Sequence, residues 1–87
     1  MKTIKLNQVK IYDNGGNTAD RFTAIFPMFP KERDGSFYAL GFDERPFHPQ
    51  GFGQHTSAMP GRHLGKRILF ADLNEDGQTL ITREFQA

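Results

Sequence analysis

The stretch RPFHPQGFGQHTSAMPGRHLGK, Arg45 to Lys66, holds three of the five prolines, four of the nine glycines and all three histidines. It limits the fold more than any other feature of the chain. Proline removes a backbone donor and glycine adds backbone freedom, so the run can be neither a regular helix nor a central strand. At about 22 residues it exceeds the usual connection between elements, which in a compact domain points to a functional or well-packed loop. The expected organisation is one domain, 1–87, with a long ordered loop at about 43–66.

The flanking segments read as strands. Ile4 and Leu6 share one face and Val9 and Ile11 the other, a phase slip that fits a bulged strand or two short ones. The sequence DNGGN follows, with Asn14, Gly15 and Gly16 suited to positive φ at a turn. In DRFTAIFPMF, Phe22, Ala24, Phe26 and Met28 alternate with Thr23 and Ile25 until Pro27 and Pro30 argue for an edge position or a strand end. Asp34 and Gly35 form a turn before a third strand whose Tyr38, Leu40 and Phe42 line one face, so strands two and three make a hairpin. A fourth strand is expected at KRILFAD.

The last segment, DLNEDGQTLITREFQA, has two readings. As a helix, Asp72 or Asn74 caps it, Glu75 and Asp76 occupy its positive first turn, and Leu73, Leu80, Ile81 and Phe85 share a face, with Gly77 as the weak point. As a hairpin, Asp76 and Gly77 make the turn. The helix is preferred. The fold class is therefore α+β: a small, mainly antiparallel sheet of about four strands with one C-terminal helix, as layer packing of so short a chain requires.

Composition narrows the function classes. Eleven Lys and Arg against ten Asp and Glu give a net charge of +1, short of the footprint of a dedicated nucleic-acid binder. With no cysteine, neither disulfides nor thiolate ligation can supplement the core. Nine Phe and no Trp suggest a core built on aromatic rings. No apolar run suits a secretory leader or a membrane span, so a cytoplasmic location is expected.

The long loop bears on four chemistries. His48, His55 and His63 match no metal-ligand spacing, and bonds to loop carbonyls are the plainer role for them. Arg62, His63, Lys66 and Arg67, with Phe47 and Phe52 for stacking, could meet nucleic acid, but such charges more often guard a strand edge. GRHLGK resembles a phosphate loop only superficially, since a strand and not a helix follows Lys66. Asp20, Arg21, His48, His55, Ser57 and His63 show no nucleophile elbow or triad spacing. For Asp13, Asp20 and Arg21 the plain reading is that the acids organise the turn and Arg21 pairs with a neighbouring carboxylate. No catalytic residue, metal or cofactor is expected.

The pieces YDNGGNTADRFT, PFHPQGFGQH, GRHLGKRILFADL and EDGQTLI, in that order, resemble a family of small bacteriophage and mobile-element proteins. The chain departs from that pattern at Asn74, where the family has proline, and at Gly77, where it has a larger residue; both departures weaken the expected helix. The resemblance implies a small α+β fold and a phage or prophage setting, and it transfers no activity. By analogy with small phage proteins, the expectation is a non-enzymatic protein that binds a host protein or nucleoprotein complex stoichiometrically in the host cytoplasm. Inhibition of a defence system such as CRISPR is one form of that role. Phe47, His48, Gln50, Phe52, Gln54, His55, Arg62, His63, Lys66 and Arg67 are the contact candidates, with the aromatic and arginine content of a hot spot. The alternative is a small-ligand or nucleotide module that uses the same loop, with Lys66 and Arg67, as a backbone nest.

Overall fold

The computed structural model describes residues 8–18 and 20–86, with side chains through residue 84. Its five strands are β1 (Lys10–Asp13), β2 (Phe22–Ile25), β3 (Phe37–Phe42), β4 (Gly53–Ala58) and β5 (Lys66–Ile68), and a single α-helix, α1 (Glu75–Gln86), closes the chain. All neighbours are antiparallel and the order is β4-β3-β2-β1-β5. The α+β class and the C-terminal helix are as the sequence predicts. Ile4 and Leu6 lie outside the described residues.

Alternation along the strands produces two unequal faces. Ile11, Ala24, Leu40 and His55 form one cross-strand row and Phe22 and Phe42 another, and all of these but the exposed His55 pack with Val9, Phe26, Leu73 and Ile81 into the main core under α1. Phe26 stacks on Phe29, and both rings lean on Tyr38, so the aromatic residues do build the core. On the other face Tyr12, Ile25 and Ala39 make a smaller cluster with Phe37, Ala58 and Leu64.

Leu64 belongs to the connection from β4 to β5, and this connection corrects the expected long loop. Residues 53–58 are not loop but β4, paired to β3 over six positions from Phe37↔Ala58 to Phe42↔Gly53. Pro46, Pro49 and Pro60 all fall outside that strand, and β4 lies at the sheet's edge, where weak strand formers are tolerated. The chain must then cross four inter-strand spacings, roughly 19 Å, to reach the opposite edge. Residues 59–65 span that distance over the face away from α1, and the short 3-10 turn Arg62–Leu64 seats Leu64 on the smaller cluster. Gly65 ends the crossing at φ 109°, where an added Cβ would lie 2.3 Å from the Asp13 carbonyl oxygen.

The turns use the predicted residues. Gly15 and Gly16 take positive φ while Asn14 does not; Asp13 accepts from the Gly15 N–H at 2.8 Å, and Asn14 from Gly16 at 2.8 Å and Asn17 at 3.1 Å. Asp34 accepts from both the backbone and the hydroxyl of Ser36. Pro27 and Pro30 follow the end of β2, which is an inner strand and not an edge.

Of the two residues expected to cap the helix, Asn74 does so, and Asp72 serves the short turn before it. Asp72 accepts from the Leu69 N–H at 2.9 Å and starts the 3-10 turn Phe70–Asp72, while Asn74 accepts from Gly77 at 2.9 Å and caps α1. Gly77 is a fit and not a flaw: it is buried, and a Cβ there would approach Phe42 Cε2 and Asn74 Oδ1 at 3.3 Å. The helix meets the Phe42 ring of β3 at that point. Leu73, Gly77, Leu80, Ile81 and Glu84 form its inward stripe at helical spacing.

Candidate interface along the outer strand

The last residue of that stripe is a carboxylate, and what it meets defines the most organised polar cluster next to β4. Glu84 Oε1 accepts from the Tyr38 hydroxyl, and Oε2 lies 3.4 Å from His55 Nε2, a contact that becomes an ion pair when the imidazole is protonated. Tyr38 and His55 come from adjacent strands, their ring centroids 5.7 Å apart. Burial, together with the bond to Glu84, pushes the Tyr38 phenol above its ordinary value, in keeping with its place as the donor of that bond. Glu84 is 19% exposed and His55 70% exposed, so the cluster anchors one rim of an open depression of about 350 Å³ lined also by Glu32, Thr56 and Ser57.

Beside it runs the edge of β4. The Asp43 backbone N–H donates to the Phe52 carbonyl at 2.9 Å, and this bond continues the β3–β4 ladder. In an antiparallel pair the bonded residues alternate, so Gln54, Thr56 and Ala58 bond inward to β3 while the backbone groups of Gly53, His55 and Ser57 face outward. Among the described residues nothing pairs with that outer edge. It also lacks the usual protection, since GQHTSA carries no lysine, acid or proline. The opposite edge, β5, has only three residues, of which two are Lys66 and Arg67.

The 43–52 loop leads into this edge and is tied down by its own groups. His48 donates its N–H to the Arg45 carbonyl at 3.0 Å and receives Gly51 at 2.8 Å on its own, while its Nδ1 accepts from Gln50 at 3.1 Å. Gly51 admits no side chain, because a Cβ would fall 1.6 Å from the Arg45 carbonyl oxygen. His48 is therefore a turn organiser, but its ring accepts from a backbone N–H where the sequence predicts a bond to a loop carbonyl. Phe52 is half-buried, but Phe47 is 45% exposed, with the Arg83 guanidinium 4.9 Å from its ring centroid.

The ten predicted contact residues do not form one surface. Phe47, His48, Gln50 and Phe52 lie on the loop before β4, and His55 projects toward α1. Gln54 projects from the opposite face of the same strand, Arg62 and His63 ride on the crossover, and Lys66 and Arg67 lie on the far edge. A strand placed in the middle of the expected loop splits it, because alternation sends neighbouring side chains to opposite faces. Among the described residues no three His, Asp or Glu side chains gather as a metal group. Glu84 and Arg83 were missed, and only the helical spacing of Glu84 from Leu80 and Ile81 could have pointed to the former.

Arg21 behaves as the plain reading holds. It grips Asp13 through two bonds of 2.9 and 3.1 Å and Glu44 through one of 2.6 Å. The guanidinium holds both carboxylates below their ordinary range and is itself raised by them. With Asn74 donating to the Glu44 carbonyl at 2.7 Å, this network fastens the β1–β2 turn and the β3–β4 loop to the start of α1.

Compared with protein-family models, with curated proteins and with solved structures, the chain matches none. Among the described residues no helix is long and apolar enough to cross a membrane.

Proposed function

We propose that this is a non-enzymatic binding protein of phage type that captures an extended segment of a host protein along the outer edge of β4. The carrying observation is that edge: six residues long, neutral, and unpaired among the described residues. An extended partner strand would satisfy the outward groups of Gly53, His55 and Ser57, which is how β-augmentation supplies affinity. His55, held by Glu84, projects from this strand, and Phe47, backed by Arg83, lies exposed on the loop that leads into it; both are side-chain contacts for the partner. The family resemblance supports a host-cell setting in the cytoplasm, and an anti-defence inhibitor is one protein of this kind.

Ser57→Pro tests the reading. It removes an outward donor while leaving the inward bonds to β3 intact, a position at which an edge strand tolerates proline. Tagged protein is passed through a bacterial host lysate with nuclease and high-salt washes. A stoichiometric protein partner is expected, lost with Ser57→Pro and weakened with Phe47→Ala, while circular dichroism shows both variants folded. A partner retained by Ser57→Pro would refute the edge. A homodimer in light scattering that Ser57→Pro dissociates would assign the edge to self-association instead.

A further inference from the structure

A second site lies at the other end of the sheet and rests on different residues. Arg67 stands opposite Tyr12 in the β1–β5 ladder and Lys10 is two residues before Tyr12, so the two cations are diagonal neighbours on the face away from α1. Such diagonals are about 7–8 Å apart, within reach of long side chains. The Arg67 guanidinium lies 5.7 Å from the Tyr12 ring centroid. Together with Gln8, Pro27 and Met28 the pair lines an open depression of about 450 Å³.

Among the described residues neither cation meets a carboxylate; the ion pairs found use Arg21 and His55. Arg67 could be explained as edge protection. Lys10 cannot, because β1 is an inner strand flanked by β2 and β5. The crossover adds Arg62 and His63 to the same side of the sheet, whereas Glu84 and Asp13 belong to the α1 side, in contact with Tyr38 and Arg21. Two unneutralised cations, one with a planar fork, beside an apolar wall of Pro27 and the exposed Met28 fit an anion attached to an apolar ring.

We infer that this depression binds an organic phosphate of the nucleotide kind, free or within a single strand. The phosphoryl group sits between Lys10 and Arg67, the Gln8 amide is a further donor, and the base or sugar lies on Met28 and Pro27. Met28 suits this because a thioether makes favourable contacts with flat rings.

The full chain is titrated with adenosine monophosphate, with inorganic phosphate and with a short single-stranded oligonucleotide, by calorimetry and amide chemical shifts. Adenosine monophosphate is expected to saturate with shifts centred on Lys10, Met28 and Arg67. Lys10→Gln and Arg67→Gln should each weaken it about tenfold, the scale of one charge-assisted bond. Met28→Ala should weaken adenosine monophosphate and leave inorganic phosphate unchanged. An oligonucleotide that binds more tightly, with an affinity that falls steeply with salt, assigns the source to a strand; equal or weaker binding assigns it to the free nucleotide. No binding of any of the three at millimolar concentration, or binding that both glutamine variants leave intact in a folded protein, overturns the inference.

Discussion

Asn74→Ala should be among the most damaging single changes at the surface, because one exposed side chain holds two elements. Its Oδ1 accepts from Gly77 at 2.9 Å to start α1, and its Nδ2 donates to the Glu44 carbonyl at 2.7 Å, tying the β3–β4 loop to the helix. Loss of an N-cap costs about 1 kcal/mol, and the exposed second bond adds about 0.5 kcal/mol. For a domain of this size each kcal/mol moves the midpoint by about 4–8 °C, so the sum predicts a drop of roughly 6–12 °C. Asn74→Asp keeps the acceptor and places a negative charge at the helix N-terminus, but it loses the donor to Glu44. It should show about a third of the effect. Thermal and urea melts followed by circular dichroism measure both. An Asn74→Ala protein that melts within about 2 °C of the parent, or an Asn74→Asp protein that falls as far as Asn74→Ala, would refute the two-part role.

Two further changes probe the packing and the charge network. Gly77→Ala should fail to stabilise, although alanine ordinarily improves a helix interior by about 1 kcal/mol, because the new Cβ presses at 3.3 Å on Phe42, a fully buried ring with no room to yield; a midpoint in urea raised by the full propensity gain would contradict this. Arg21→Gln should alter the acid limb of stability. Arg21 lowers the folded-state values of Asp13 and Glu44, so their contribution is present above the ordinary carboxylate range and is lost as pH falls through the lowered values. The melting temperatures of parent and variant should therefore differ at neutral pH and converge in acid, by a modest amount since the side chains are partly exposed; a gap that persists unchanged below about pH 2 would show that the network acts by packing alone.

Local signals carried most of the elements. DNGG and DG named their turns because glycine alone takes the positive φ they use, and period-two alternation named β2 and β3 with the correct faces. The strand at 53–58 was not legible. GQHTSA has two weak strand formers and no alternating apolar face, and it is extended only because β3 offers a ladder to pair with. Asn74 is legible as a cap, whereas Gly77 looks like a defect in a helix considered alone. They are fitted to contacts with Glu44 and Phe42 that no local pattern announces.

The candidate sites divide the same way. Phe47 and the basic residues near 62–67 could be singled out from residue type, but their grouping could not, since pairing sets them on different edges and faces. Glu84 meets Tyr38 and His55 across separations of 46 and 29 positions, and Lys10 and Arg67, 57 positions apart, line one depression. Turn chemistry, helix capping and strand alternation are short-range consequences of φ preference and hydrogen bonding, so the residues themselves dictated an antiparallel sheet closed by a helix. Strand order was decided only when that helix and the crossing at 59–65 each covered a face of the sheet, because burial of both faces rewards the whole arrangement and no single segment. That order leaves β4 as the unpaired edge and brings Lys10 beside Arg67.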